Sequence, residues 1–204
     1  MIRNIIFDFD GVVLDSIPVK TDGFRKLFST YDEISVEKLV NYHLVNGGKS
    51  RYAKIEYFFN EILNQDISET KVLEYANKYS KITKKELANK KYVIQETLSY
   101  IESNFNKYRM HVASGADDQD LNYICTSLDL NKYFLSIEGS PKVKSEIVKG
   151  IIDLNRYSTN ETILIGDSSN DFEAAKFNNI EFYGYNNPEL KNRHKYIDSF
   201  LGFI

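Results

Sequence analysis

The segment Ile5-Ile6-Phe7-Asp8-Phe9-Asp10-Gly11 constrains this chain more than any other. A short apolar run reads as a buried strand, and it ends in two aspartates two residues apart with a glycine directly behind them. Side chains alternate along a strand, so Asp8 and Asp10 leave it in the same general direction. Two carboxylates crowded at a strand end are unfavourable unless a cation lies between them or one carries a proton. The segment therefore points to a divalent metal, a carboxylate nucleophile and a neighbouring acid/base.

The rest of the chain supplies a frame for such a strand. Short apolar stretches at residues 2–7, 110–113, 134–137, 162–165 and 180–183 read as strands. Helical spacing separates them at residues 92–105, 118–128, 144–154 and 170–177, for example Leu121, Ile124, Cys125 and Leu128 on one face. Short apolar strands alternating with helices imply an α/β fold with a central parallel sheet covered on both faces. Ligands of such sheets collect at the carboxyl ends of the strands. Asp8, Ser114 and Asp167 each follow a predicted strand, so distant parts of the chain can converge there.

Residues 18–85 break the alternation. Four apolar stripes at helical spacing run through them: Phe24, Leu27 and Phe28; Val36, Leu39, Val40 and Leu44; Ile55, Phe58, Phe59 and Ile62; Val72, Leu73, Ala76 and Tyr79. This segment reads as an all-α insertion. The loop Asn46-Gly47-Gly48-Lys49-Ser50-Arg51-Tyr52 inside it has two readings. It is a substrate loop in which Arg51 clamps an anionic group and Lys49 assists, or a helix-helix turn whose Ser50 caps the next helix. The run Lys78, Lys81, Lys84, Lys85, Lys90, Lys91 reads as a solvated helix face.

Three further segments follow the first in order. His111-Val112-Ala113-Ser114-Gly115-Ala116 ends a strand in a serine. Gly139-Ser140-Pro141-Lys142-Val143-Lys144 carries lysines after a Gly-Ser-Pro turn. Thr162-Ile163-Leu164-Ile165-Gly166-Asp167-Ser168-Ser169-Asn170-Asp171 ends a third strand in an acidic cluster. With Asp8-Phe9-Asp10-Gly11, these segments resemble the four motifs of the haloacid dehalogenase-like (HAD) superfamily, over nearly the whole chain.

The resemblance implies a Rossmann-like core built from residues 1–16 and 89–204, with a helical cap of the C1 type at residues 17–88. It implies that Asp8 attacks phosphorus to form an aspartyl-phosphate, and that Asp10 protonates the leaving oxygen and later activates water. Mg2+ is the implied cofactor, held by Asp8, the Asp10 backbone carbonyl and Asp167. Asp171 would bind the metal directly or through water, or cap the helix that follows. Ser114 and the Gly115 amide would hold phosphoryl oxygens, although Ser114 alone also reads as the N-cap of the next helix. Lys144, in preference to Lys142, would neutralise the phosphoryl group and hold Asp8.

Composition sets limits. The chain has 204 residues, 42% of them hydrophobic, enough for a packed core and a modest second module. Its net charge is −3 with scattered Lys and Arg, which argues against a basic nucleic-acid-binding face. The single cysteine, Cys125, excludes an intramolecular disulfide and reads as structural. His43, His111 and His194 read as structural or exposed, so a zinc site is not expected. No membrane span is expected, the first strand starts too early for a cleavable leader, and the expected location is the cytoplasm. The expected partner is a small phosphate ester, bound by a monomer or homodimer. The leading expectation is a Mg2+-dependent phosphatase of small phosphate monoesters, such as sugar phosphates or phosphoglycolate-like acids. A phosphomutase resembling beta-phosphoglucomutase is the alternative, and a non-catalytic binding or regulatory member the third.

Overall fold

Strand β1 (Asn4–Phe7) occupies an inner position of a six-stranded parallel sheet, in a computed structural model that describes residues 1–204. The other strands are β2 (Arg109–Asp117), β3 (Ser136–Ser140), β4 (Thr162–Gly166), β5 (Glu181–Tyr185) and β6 (Lys195–Ile197), in the order β3-β2-β1-β4-β5-β6. The apolar β1 run is buried on both faces, as an inner parallel strand requires. Ile5 and Phe7 join one core cluster with Met110, Val112, Ile163 and Ile165, while Ile6 joins another with Ala113 and Leu164. Helices α5 (Gln95–Asn104) and α6 (Asp118–Ser127) cover the first face through Ile101, Leu121 and Ile124. Helices α7 (Lys144–Asn155) and α8 (Ser169–Phe177) cover the second through Ile147, Ile151 and Ala175. The expected α/β core is thus present.

Register decides where the site forms. Phe7 lies opposite Val112 on one side and Ile165 on the other. The next residues of each strand therefore leave the same edge: Asp8, then Ala113–Ser114, then Gly166–Asp167. The chain runs outward from β1 to β2 and β3, then returns to β1's other side with β4. That reversal opens a crevice at the strand ends.

The insertion consists of α1 (Ile17–Leu27), α2 (Glu33–Val45), α3 (Arg51–Tyr57), a π-helical turn (Phe58–Ile62) and α4 (Glu69–Leu87). It has its own apolar core, in which Phe24, Phe28, Leu39, Ile55, Phe58, Val72 and Tyr79 meet. Two predicted stripe members, Leu44 and Leu73, are exposed instead. The two connections to the sheet run side by side: Leu14 bridges Val93, the Asp15 N–H donates to the Tyr92 carbonyl at 2.7 Å, and the Ile94 N–H donates to Val13 at 3.0 Å.

Several element boundaries differ from the sequence reading. Strand β2 runs on through Ser114 and Gly115 to Asp117, with a register shift against β3 after Ala113. The N-cap of α6 is consequently Asp117, whose Oδ1 accepts from the Asp120 N–H at 3.1 Å; the N-cap reading of Ser114 is corrected. Strand β3 begins two residues later than expected because Phe134 turns into the core and Leu135 faces solvent. Helix α5 starts at Gln95, because Val93 and Ile94 are engaged beside β1's exit loop. A short helix α9 (Pro188–Lys191) and strand β6 were not anticipated.

Candidate active site

Asp8 emerges from β1 buried, with 2% of its surface exposed. Its Oδ1 accepts from the Phe9 N–H at 2.7 Å and from Lys144 Nζ at 2.9 Å. Carboxylate oxygens of Asp8, Asp167 and Asp171 lie within 4.8 Å of one another. Burial, then the charge of Asp171, push the Asp8 carboxyl up to about 7 against the pull of Lys144. Burial and the neighbouring Asp8 and Asp171 likewise raise Asp167 well above the carboxylate range. One ammonium does not balance three close carboxylates, so this donor set fits a hard, oxygen-loving divalent cation.

Gly11 makes the cluster possible. Its φ of +77° lies in the left-handed region, and a Cβ there would collide with the Asp167 carboxylate. The loop after β5 fixes both partners from behind: Asn186 Nδ2 donates to the Gly11 carbonyl at 3.0 Å and Asn187 Nδ2 to the Asp167 carbonyl at 2.7 Å.

Lys144 starts α7 and points into this cluster at 4% exposure, paired with both Asp8 and Asp171. Burial opposes its charge, but the two carboxylates outweigh burial and hold its pKa above the ordinary lysine value. Lys142 instead lies on the surface, 3.6 Å from Glu138. Asp171 is wholly buried and both of its oxygens are engaged: Oδ1 with Lys144, and Oδ2 with the Ser168 N–H at 3.0 Å and Ser168 Oγ at 2.6 Å. Asp171 therefore closes the N-terminus of α8 in a capping box and joins the carboxylate cluster at once. Ser114 is fully buried, its Oγ accepting from the Ala116 N–H at 3.1 Å.

Asp10 sits on the cap side. Its Oδ1 accepts from Ser16 Oγ at 2.6 Å and its Oδ2 pairs with Lys20. Burial pushes the Asp10 carboxyl up, but Lys20's charge and the hydrogen bonds from Lys20 and Ser16 prevail and lower its pKa. Ser16 stands at the N-cap of α1 without bonding a helix N–H; its hydroxyl serves Asp10 instead. The sequence reading gave no role to Ser16 or Lys20, although their i, i+4 spacing puts both on one side of the first turn of α1.

The cap rests on the core through a few contacts. The Gly48 carbonyl lies so close to Gly115 that a Cβ on Gly115 would strike it. Asn170 Nδ2 donates to that carbonyl at 3.1 Å, and the Tyr52 hydroxyl donates to Asp117 at 2.5 Å. Ser50 caps α3, as the helix-turn reading of its loop expected, accepting from the Ala53 N–H at 3.3 Å. Arg51 is buried and pairs with Asp120 at 2.7 Å and with Ser80. Lys49 is exposed and donates to the Tyr42 hydroxyl at 3.0 Å. Both line one cleft with Asp10, Asp167, Gly115, Lys20 and His43. The other histidines lie elsewhere: His111 bonds Ser136 at 2.8 Å and Tyr157 at 2.9 Å, and His194 packs on Phe172. Cys125 is buried, and burial pushes its thiol up to about 12.

Comparison with known proteins agrees with this fold. Solved structures similar in fold include beta-phosphoglucomutase from Clostridium difficile, at 21% identity and a TM-score of 0.79 over 100% of this chain and 94% of that one. CbbY from Rhodobacter sphaeroides, in complex with xylulose-(1,5)bisphosphate, gives 15% identity and a TM-score of 0.78 over 98% and 95%. A predicted phosphoglycolate phosphatase from Haemophilus somnus gives 15% identity and a TM-score of 0.75 over 98% and 95%. No curated protein matches in sequence. The sequence model described as "Haloacid dehalogenase-like hydrolase" matches residues 5–185, and the chain belongs to that family.

Proposed function

We propose that this chain is a Mg2+-dependent phosphatase of small phosphate monoesters, working through an aspartyl-phosphate on Asp8. The observation that carries the reading is the buried cluster of Asp8, Asp167 and Asp171 around Lys144, where the neighbouring strands β1 and β4 end. Asp8, Asp167 and the Asp10 backbone carbonyl would hold the metal, with Asp171 beside them. Mg2+ there would neutralise phosphoryl oxygens and orient the ester.

The protein's own groups account for the remaining chemistry. Lys144 keeps Asp8 in place and offers its charge to the transferring group. Ser114 Oγ and the Gly115 amide, in the last part of β2, would receive phosphoryl oxygens. Asp8 forms its bond to phosphorus as the ester bond breaks, and the leaving oxygen takes a proton from Asp10. Asp10 is ionised while Lys20 pairs with it, the form that can take a proton from an attacking water. To donate, it must first be protonated and released by Lys20. Residues 17–88 would act as the cap over residues 1–16 and 89–204, with Arg51 and Lys49 facing substrate from the cap. No helix is long and apolar enough to cross a membrane, which suits a cytoplasmic enzyme acting as a monomer or homodimer on soluble esters.

One observation favours a phosphomutase as the second reading. A mutase must keep water from the aspartyl-phosphate, and a cap residue that restrains Asp10 is one means; Lys20 on α1 is such a residue. Phosphate release from a panel of monoesters, with Mg2+ and with EDTA, tests the phosphatase. Isomerisation of a sugar phosphate that needs catalytic bisphosphate, without net phosphate release, would replace it with the mutase.

A further inference from the structure

Five cationic side chains surround the reaction centre and its cleft; three of them pair with carboxylates and a fourth is exposed. Lys144 lies between Asp8 and Asp171, Lys20 pairs with Asp10, and Arg51 pairs with Asp120. Lys49 is exposed to solvent. Lys54 differs from all of these. It is on α3, 3% exposed, and lines the same cleft as Asp10 and Asp167, yet no carboxylate pairs with it. Its ammonium donates to His43 Nδ1 at 2.9 Å and to the Gly47 carbonyl at 3.3 Å. Those bonds use two of its three hydrogens.

His43 adds a second unfilled donor. A charged Lys54 can only donate to Nδ1, and the ring then carries its own hydrogen on Nε2. That nitrogen is buried without a partner, and His43 also lines the cleft. A buried ammonium without a counter-anion is costly, and burial first, with help from Lys20, pulls Lys54 down to about 7. Asp10 and Asp167 oppose that pull from across the cleft. Were Lys54 only a packing element, an apolar side chain of its length would serve the fold better. An anion seated in the cleft gives both donors a partner.

We propose that Lys54 and His43 select substrates carrying a second acidic group, a carboxylate or a second phosphate, remote from the scissile phosphoryl. This deepens the phosphate-monoester reading and rests on it. The scissile group would be served by Ser114 and by Lys144, which is 2.9 Å from Asp8; they belong to β2 and α7 rather than to the inserted helices, and neither lines this cleft. The substrate class is then a small phosphorylated acid or a bisphosphate, and neutral sugar monophosphates are poorer substrates.

The test uses matched pairs: 2-phosphoglycolate against ethylene glycol monophosphate for the carboxylate, and glucose 1,6-bisphosphate against glucose 1-phosphate for the phosphate. In the wild type, kcat/KM should favour the doubly acidic member of at least one pair by about 10- to 100-fold, the range of one charge-assisted hydrogen bond. Lys54→Met should bring that ratio close to one, and His43→Leu should lower it. Lack of preference in both pairs, or a preference that survives Lys54→Met in a variant with wild-type circular dichroism, overturns the proposal. Calorimetric binding of the same four compounds to Asp8→Asn protein with Mg2+ separates the acidic subsite from the hydrolytic activity. Hydrolysis of none of them by the wild type would sink the phosphatase reading. A binding preference abolished by Lys54→Met would still uphold the acidic subsite, and equal binding within each pair would overturn it.

Discussion

Lys144 stands between two buried carboxylates, and its removal would leave both without a counter-charge in a site that excludes water. Breaking a buried ion pair from one side typically costs about 3–5 kcal/mol. Lys144→Met should therefore lower the urea midpoint of the metal-free protein clearly, and added Mg2+ should recover part of the loss. A wild-type midpoint in the metal-free variant would contradict the pairing. Asp8→Asn tests the neighbouring residue differently. Its side chain keeps the shape, but an amide is not a nucleophile, so phosphate release should fall by more than about 10³-fold while the fold persists.

At the scale of elements, the cap meets the core where the Gly48 carbonyl approaches Gly115, and a Cβ on Gly48 would meet Asn170 at 2.7 Å. Gly48→Val should lift this loop and lower kcat/KM by about 10²-fold, since small displacements at a reaction centre are expensive. The melting temperature should change little, because Gly48 lies outside the cap's apolar core; a large drop in melting temperature would contradict this. Strands such as β1 and β4 were readable because each holds three consecutive apolar residues, Ile5–Phe7 and Ile163–Ile165, with an aspartate close behind. The far end of β2 was not, because Ser114-Gly115-Ala116 reads as a turn, and only pairing with β3 extends it to Asp117. Strand β6 was hidden for a similar reason: three residues with polar neighbours give no periodic signal, and its place is set by β5. The Lys20–Asp10 pair joins cap to core, and a contact between elements is not visible in the spacing of either one.

For the whole molecule, the charge state of the site ties stability to pH and metal. Burial and Asp171 raise Asp8 from its ordinary value to about 7. A carboxyl whose folded pKa is raised contributes stability below its unfolded pKa and loses it as pH rises through about 7. His43 and His111 act in the opposite direction: burial lowers them to about 3 and about 4, so their contribution is lost as pH falls below the ordinary histidine value. Mg2+ held at this cluster would require the ionised carboxylates, so its stabilising effect should grow as the pH rises from about 5 to 8. Melting temperatures with Mg2+ and with EDTA across that range check this, and a Mg2+ shift that shrank with rising pH would contradict it.

In the proposed reaction a phosphoryl group passes through the Asp8 carboxylate. Acyl phosphates react with hydroxylamine, so turnover in its presence with Mg2+ and a hydrolysed ester should inactivate the enzyme and leave a hydroxamate on the peptide containing Asp8. That label is expected at Asp8, dependent on substrate and Mg2+ and missing from Asp8→Asn. Continued phosphate release with no label at Asp8, or a label on another carboxylate, would contradict it.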